Sequence, residues 1–368
     1  MRVASLFTFS TLVGTFTWAF DPRSYSKQVA TCPGVLRTSE GNTVVDLHLR
    51  YVDINPSAKR TVLMVHGWPS LWSSWSNQIE ELKNDYHLVV PDIRGFGEST
   101  HPGDVESSGT INDIAGDMAC ILAHANVESA ICLGHDWGTQ VCYEFARSRP
   151  DVVEAVIGSV IPYIPAHGDY IPMKALVPML PKLAYQLFFS GNTSDAVKEL
   201  DADIRRTIRG TLRTVDSAPP GHFLMSGETF LGAWDGVEEI PSVPFFSKDE
   251  EDYFVEQFSI QGFKNTLQFY TNGNRYLSWE HAHSQGNHTI PQPVLSILPL
   301  DDPVADWEVA AKLLGSGEFI PKLTTKMLPG AHWVQIEYPR EFNAIMREWL
   351  EGFSRAGGPP PSSSHDEL

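Results

Sequence analysis

Ser129-Ala130-Ile131-Cys132-Leu133-Gly134-His135-Asp136-Trp137-Gly138 carries the decision about the fold. Residues 129–133 read as a short apolar strand and residues 138–149 as a helix, so Gly134-His135-Asp136-Trp137-Gly138 has to turn one into the other. Glycines on both sides of the middle residue allow a bend tight enough to lift its side chain above a sheet, the strained elbow used for nucleophiles. Here that residue is an aspartate. Taken alone the run also fits a plain strand-to-helix turn with a capping Asp, so the weight falls on what surrounds it.

Outward from the elbow, short apolar strands alternate with helices. Strands are expected at 61–65, 87–90 and 153–157, helices at 74–82 and 111–125, and alternating residues at 43–52 suggest an antiparallel hairpin arm. This rhythm predicts an α/β architecture: a mostly parallel sheet with helices on both faces, its core formed by 35–161 and 292–353. From 162 to 291 the rhythm breaks into aromatic-rich, helix-like segments (179–189, 195–212 and 249–258) with no strand-like runs, which reads as an inserted helical cap. It resumes with strands at 294–298 and 324–327 and a last helix at 340–353.

A carboxylate nucleophile sets the demands on the rest of the site. It is ionised at neutral pH and needs no base to attack, but the ester it forms at a saturated carbon must then be hydrolysed. That second step needs a general base and an oxyanion hole. His332, in Gly330-Ala331-His332-Trp333, follows the last apolar strand, and Asp302 follows the preceding one, giving the chain order nucleophile, acid, histidine. Asp302 is read as the partner that holds the imidazole in one tautomer; Asp301 and Asp306 are the alternatives. His66-Gly67-Trp68-Pro69 follows the strand at 61–65, so the backbone N–H groups of Trp68 and Trp137 are the expected oxyanion donors, with Pro69 admitting a cis peptide.

These segments, together with Arg94-Gly95-Phe96-Gly97-Glu98-Ser99, give the chain from about 35 to 353 a resemblance to the epoxide hydrolases of the soluble type, within the α/β-hydrolase fold. The elbow and the histidine segment are specific; the Arg94 segment is common to many relatives. The Trp68 form of the oxyanion segment is similar to the microsomal branch, whereas the Asp acid is that of the soluble branch. The resemblance implies hydrolysis of an epoxide to a vicinal diol through an ester on Asp136, with no metal or organic cofactor. An epoxide oxygen leaves as a strongly basic alkoxide and requires an acid, which protonated phenols can supply. Tyr185 and Tyr270 match the two cap tyrosines of that family in local sequence and order; Tyr163, Tyr170 and Tyr276 are the weaker candidates. Substrate contacts are expected from Trp68, Trp137 and Phe189. Phe188, Phe189, Trp234, Phe245, Phe246, Phe263 and Phe269 suggest an apolar pocket for a lipid-like or aryl epoxide. Two rival readings differ in outcome: a haloalkane dehalogenase would release halide even with both tyrosines changed to Phe, and a ligand-binding protein on the same fold would be catalytically silent.

A net charge of −18 argues against nucleic acid as a partner. Arg2 followed by an apolar run to Phe20 reads as a signal peptide over 1–19, with a retained anchor as the alternative. Residues 354–368 read as a flexible tail ending in His365-Asp366-Glu367-Leu368, a code read by a retrieval receptor. Together the two ends point to the endoplasmic reticulum lumen. Cys32, Cys120, Cys132 and Cys142 are too few and too scattered for a disulfide framework and are expected mostly as buried thiols. Asn192-Thr193-Ser194 and Asn287-His288-Thr289 are glycosylation acceptors if exposed.

Overall fold

The structure, a computed structural model, describes residues 20–355; the expected signal at 1–19 and the retrieval code lie outside the described residues. The chain opens with a long hairpin, β1 (Lys27–Thr38) and β2 (Gly41–Ile54), and continues through β3 (Thr61–Val65), α1 (Ser76–Leu82), β4 (His87–Pro91), α2 (Ile111–His124), β5 (Ala130–His135), α3 (Trp137–Ser148) and β6 (Val153–Ser159). After the cap comes β7 (Val294–Pro299). The strands form one eight-stranded sheet in the order β1-β2-β4-β3-β5-β6-β7-β8, with β8 at Leu323–Leu328. β1 pairs antiparallel with β2 and β2 with β4, and every other pairing is parallel. Strands β3, β4, β5 and β7 are buried throughout, which is why they read as unbroken apolar runs.

β1 starts well before residue 35, where the core was expected to begin. Its inward positions are Ala30, Cys32 and Gly34, residues too small to give an apolar alternation, and Pro33 lies within it. The thiol expectation is corrected too: Cys32 pairs with Cys120, joining β1 to α2, and Cys132 pairs with Cys142, joining β5 to α3. Their Cα separations of 5.9 and 5.5 Å suit a bridge, and only the sheet topology brings positions 88 residues apart to that distance.

Between β6 and β7 lies the cap, comprising α4 (Met173–Leu176), α5 (Tyr185–Gly191), α6 (Thr193–Ala202), α7 (Ile204–Thr211), α8 (Lys248–Gln261) and α9 (Asn272–Ser284). The single helix expected at 195–212 is two. Asp203 adopts extended backbone, and its carboxylate accepts the Arg206 N–H at 2.9 Å, capping α7. Helix α9, rich in Asn and Gly at its start, was not foreseen. After the cap, α10 (Trp307–Leu313), α11 (Val334–Glu337) and α12 (Pro339–Arg355) complete the chain. Among the described residues no helix is long and apolar enough to cross a membrane.

Register sets the site. Val65 pairs with Gly134, so the segments leaving β3 and β5 emerge side by side at the carboxyl edge of the sheet, where α/β folds place their ligands.

Candidate active site

At the end of β5 the backbone of Asp136 takes φ 54° and ψ −124°, a conformation that an L side chain adopts only under strain. The elbow closes because Gly138 has no side chain: a Cβ there would run into the Val65 and His66 carbonyl oxygens. Gly67 lets the β3 loop come in from the other side, since a Cβ at that position would meet the Asp136 carboxylate. The Asp136 side chain, only 5% of the residue being exposed, thus stands between two backbone segments and a cavity.

Each of its oxygens has a different neighbour. Oδ1 accepts the Trp68 N–H at 2.9 Å, in the turn whose Trp68–Pro69 peptide is cis. The Trp137 N–H belongs to the first turn of α3, where amides have no partner inside the helix. Oδ2 faces His332 Nε2 at 3.5 Å. His332 Nδ1 in turn donates to Asp302 Oδ2 at 2.8 Å, and Asp302 is fixed by the Trp307 indole N–H at 2.6 Å and the Val304 N–H at 2.8 Å. The two alternative acids are occupied elsewhere: Asp301 accepts the Gly330 N–H and Asp306 caps α10.

Charge in this line is self-supporting. Burial alone would raise the Asp136 carboxyl, but His332, His135 and the Trp68 N–H outweigh it and hold the group below its ordinary value. Burial likewise opposes a charged His332, yet Asp302 and Asp136 together push the imidazole up to about 10. His135 is buried and pushed down to about 4, mainly by desolvation, and its Nε2 holds the His332 carbonyl at 2.9 Å.

Over the carboxylate hang Tyr185 and Tyr270 from the cap, their rings 5.8 Å apart and both lining the cavity. Burial, reinforced by the nearby Asp136 charge, raises both phenols well above their ordinary value, so both are protonated acids. Tyr270 stands edge-on to Trp68 and Trp137, at 5.3 and 5.6 Å. The weaker candidates point elsewhere: Tyr163 donates to the His288 carbonyl, and Tyr170 and Tyr276 pack on each other.

The cavity, of about 110 Å³, is also lined by Trp68, Trp137, Phe223, Phe230 and Leu224. Phe189, expected to touch substrate, does not line it. It is fully buried behind the wall, packed against Trp68, Tyr185 and Tyr270. The other cap aromatics expected around a pocket, Phe188, Trp234, Phe245, Phe246, Phe263 and Phe269, do not line it either and are packing: Phe269 stacks on Trp137 at 5.5 Å, and Phe263 on Phe258 at 4.7 Å. Sequence reasoning missed Phe223 and Phe230, which lie in an irregular stretch without periodicity, and Trp307, which fixes the acid from five residues further on.

The model of the alpha/beta hydrolase fold family matches residues 60–339. Epoxide hydrolase A of Mycobacterium tuberculosis is 30% identical over 319 residues, covering 83% of this chain and 95% of that protein. Bifunctional epoxide hydrolase 2 of Sus scrofa is 28% identical over 329 residues, covering 86% of this chain and 56% of that protein, so the chain spans about half the length of the mammalian relatives it matches. The crystal structure of Epoxide Hydrolase A from Mycobacterium thermoresistibile, 27% identical, superposes with a TM-score of 0.72 over 89% of this chain and 99% of that one. With an Asp at the elbow, an Asp–His pair beneath it and two phenols above, the chain belongs to the alpha/beta hydrolase fold family, in its epoxide hydrolase branch.

Proposed function

We propose that this protein hydrolyses an apolar epoxide to a vicinal diol. The observation that carries the reading is the placement of two protonated phenols over a carboxylate that lines the cavity, with one oxygen held by the Trp68 N–H and the other only loosely paired with His332 at 3.5 Å. Asp136 Oδ2 attacks a ring carbon, the carbon–oxygen bond breaks, and the departing oxygen takes a proton from Tyr185 or Tyr270. Loss of the carboxylate charge removes one of the two partners that keep His332 protonated, so the imidazolium gives up its proton to restore the phenol, and the neutral imidazole then takes a proton from water. Hydroxide adds to the Asp136 carbonyl carbon, and the oxyanion forms at Oδ1, where the Trp68 N–H already points and the Trp137 N–H completes the hole. Collapse releases the diol with the proton from His332, and the regenerated Asp136 carboxyl group gives its proton back to the imidazole, restoring the resting ion pair.

Phe223, Phe230 and Leu224 make the walls apolar, and 110 Å³ is comparable to the ~150 Å³ void that holds benzene. A small aryl or short alkyl epoxide fits that space, and longer chains would have to extend through its open side. A dehalogenase needs no proton donor at the leaving group and gives no reason for two buried phenols.

A single turnover in heavy-oxygen water tests the mechanism. The label is expected in the Asp136 carboxylate first and in diol only on later turnovers; labelled diol in the first turnover would reject the ester.

The endoplasmic reticulum lumen, with retrieval through the HDEL code, is our reading of where the protein works. Pairing of all four cysteines supports an oxidising compartment.

A further inference from the structure

Arg275, in the first turns of α9, is a cation on the cap side of the site. Its guanidinium carbon lies 5.2 Å from the Trp137 ring centre and 5.9 Å from that of Tyr270. Its Nε donates to the Phe269 carbonyl at 3.0 Å and its Nη2 to Gln186 Oε1 at 2.6 Å. The other end of the Gln186 amide donates to the Tyr185 hydroxyl at 3.0 Å. No carboxylate among the described residues forms an ion pair with Arg275, although other buried or half-buried arginines such as Arg94, Arg147 and Arg209 have carboxylate partners. An arginine partly buried without an anion is costly in the resting state, and here the groups around it are phenols.

We propose that Arg275 is a positioning residue for ring opening: it stabilises the phenolate left when Tyr185 or Tyr270 gives its proton to the epoxide oxygen. It acts on Tyr270 through its position against the ring and on Tyr185 through Gln186, whose amide is polarised toward the phenol by the charge-assisted bond at its oxygen. The counterion that Arg275 lacks at rest is thus created by the reaction. Other charges facing the phenols come from the core side, Asp136 directly and His332 behind it, and Tyr170 is the remaining ionisable neighbour of Arg275. The α9 sequence concealed this role, because the links from Arg275 to Tyr185 and Trp137 arise only in the folded chain.

The inference rests on the epoxide reading, and the experiment keeps the two separable. In single turnovers of the full chain with styrene oxide, R275M should slow ester formation by roughly 10- to 100-fold, the size of one charge interaction at this distance in a partly screened site, and leave ester hydrolysis unchanged. R275K should recover most of the loss, since it restores charge. In a Y185F/Y270F background R275M should add nothing. A second arm needs no substrate: fluorotyrosine placed at position 185, followed by fluorine NMR, should ionise at higher pH in R275M than in R275K. Equal slowing of both steps, failure of Lys to rescue, or an unmoved phenol titration would overturn the proposal. If the parent enzyme forms no ester, the epoxide reading fails, and the NMR titration alone decides whether Arg275 is coupled to the phenol.

Discussion

Asp136 and His332 hold opposite charges only while the carboxylate is free, and this separates the two chemical steps experimentally. Asp136 stays ionised down to the carboxylate range, so ester formation should show no acid limb above about pH 4. Once Asp136 is esterified, His332 keeps only Asp302, and its pKa falls from about 10. Hydrolysis of the ester should therefore rise with pH through a midpoint below that value, as rapid-quench measurements can establish. H332Q should trap the ester, seen as a mass increase on the protein, and D302N should slow hydrolysis by about 10²- to 10⁴-fold through the wrong tautomer. Asp136, Asp302 and His332 were legible in the sequence because each follows an apolar strand, two of them in glycine-containing turns, whereas Tyr185 and Tyr270, in the cap, were picked out only by resemblance to the family's cap tyrosines. Phe189 was misread for a physical reason: one helical turn from Tyr185 it shares that residue's face, but the Trp68 ring covers it. Arg275 was invisible because Gln186 and Trp137, which link it to the site, come from distant segments.

The elbow is an element built under strain and then fastened. Asp136 sits between Cys132 on β5 and Cys142 on α3, and their bridge ties together the strand and the helix that flank the bend. By loop-closure entropy the ten-residue loop stabilises the fold by about 2.7 kcal/mol, and the 88-residue loop closed by Cys32–Cys120 by about 4.6 kcal/mol. C132A/C142A should therefore shift the urea midpoint less than C32A/C120A, yet slow ester formation more, since only the shorter loop contains the nucleophile. Comparing the two double variants in denaturation and single-turnover assays checks both halves of that statement. Strands β3 to β7 could be read as sequence because they are buried on both faces. β1, built on Ala30, Cys32 and Gly34, and α9, without an apolar stripe, depend on tertiary neighbours that no local pattern announces.

For the whole molecule, buried histidines shape the response to pH. His332 is raised to about 10, so its contribution to stability is complete below its unfolded value of ~6.5 and is lost as pH climbs through 10. His135 and His101 are lowered to about 4 and 3 by burial, so the unfolded chain takes up their protons first and stability falls as pH drops below ~6.5. Together these histidines should place maximum stability near neutrality, with urea midpoints declining on both sides. Asn192 and Asn287 are exposed, and if the lumenal reading holds, the protein made by a secretory host should lose mass on endoglycosidase H treatment, a loss abolished in N192Q/N287Q. The cap was legible in outline, as a break in the rhythm of strand and helix; its internal joints, such as Asp203, were not. One consequence follows from the division of labour between layers. The nucleophile and its histidine belong to the sheet, whereas the proton donors are lent by the inserted helices. Should the upper layer loosen first on warming, the lower machinery would survive with nothing to protonate a leaving oxygen, and turnover would vanish while the sheet's far-ultraviolet signal persisted.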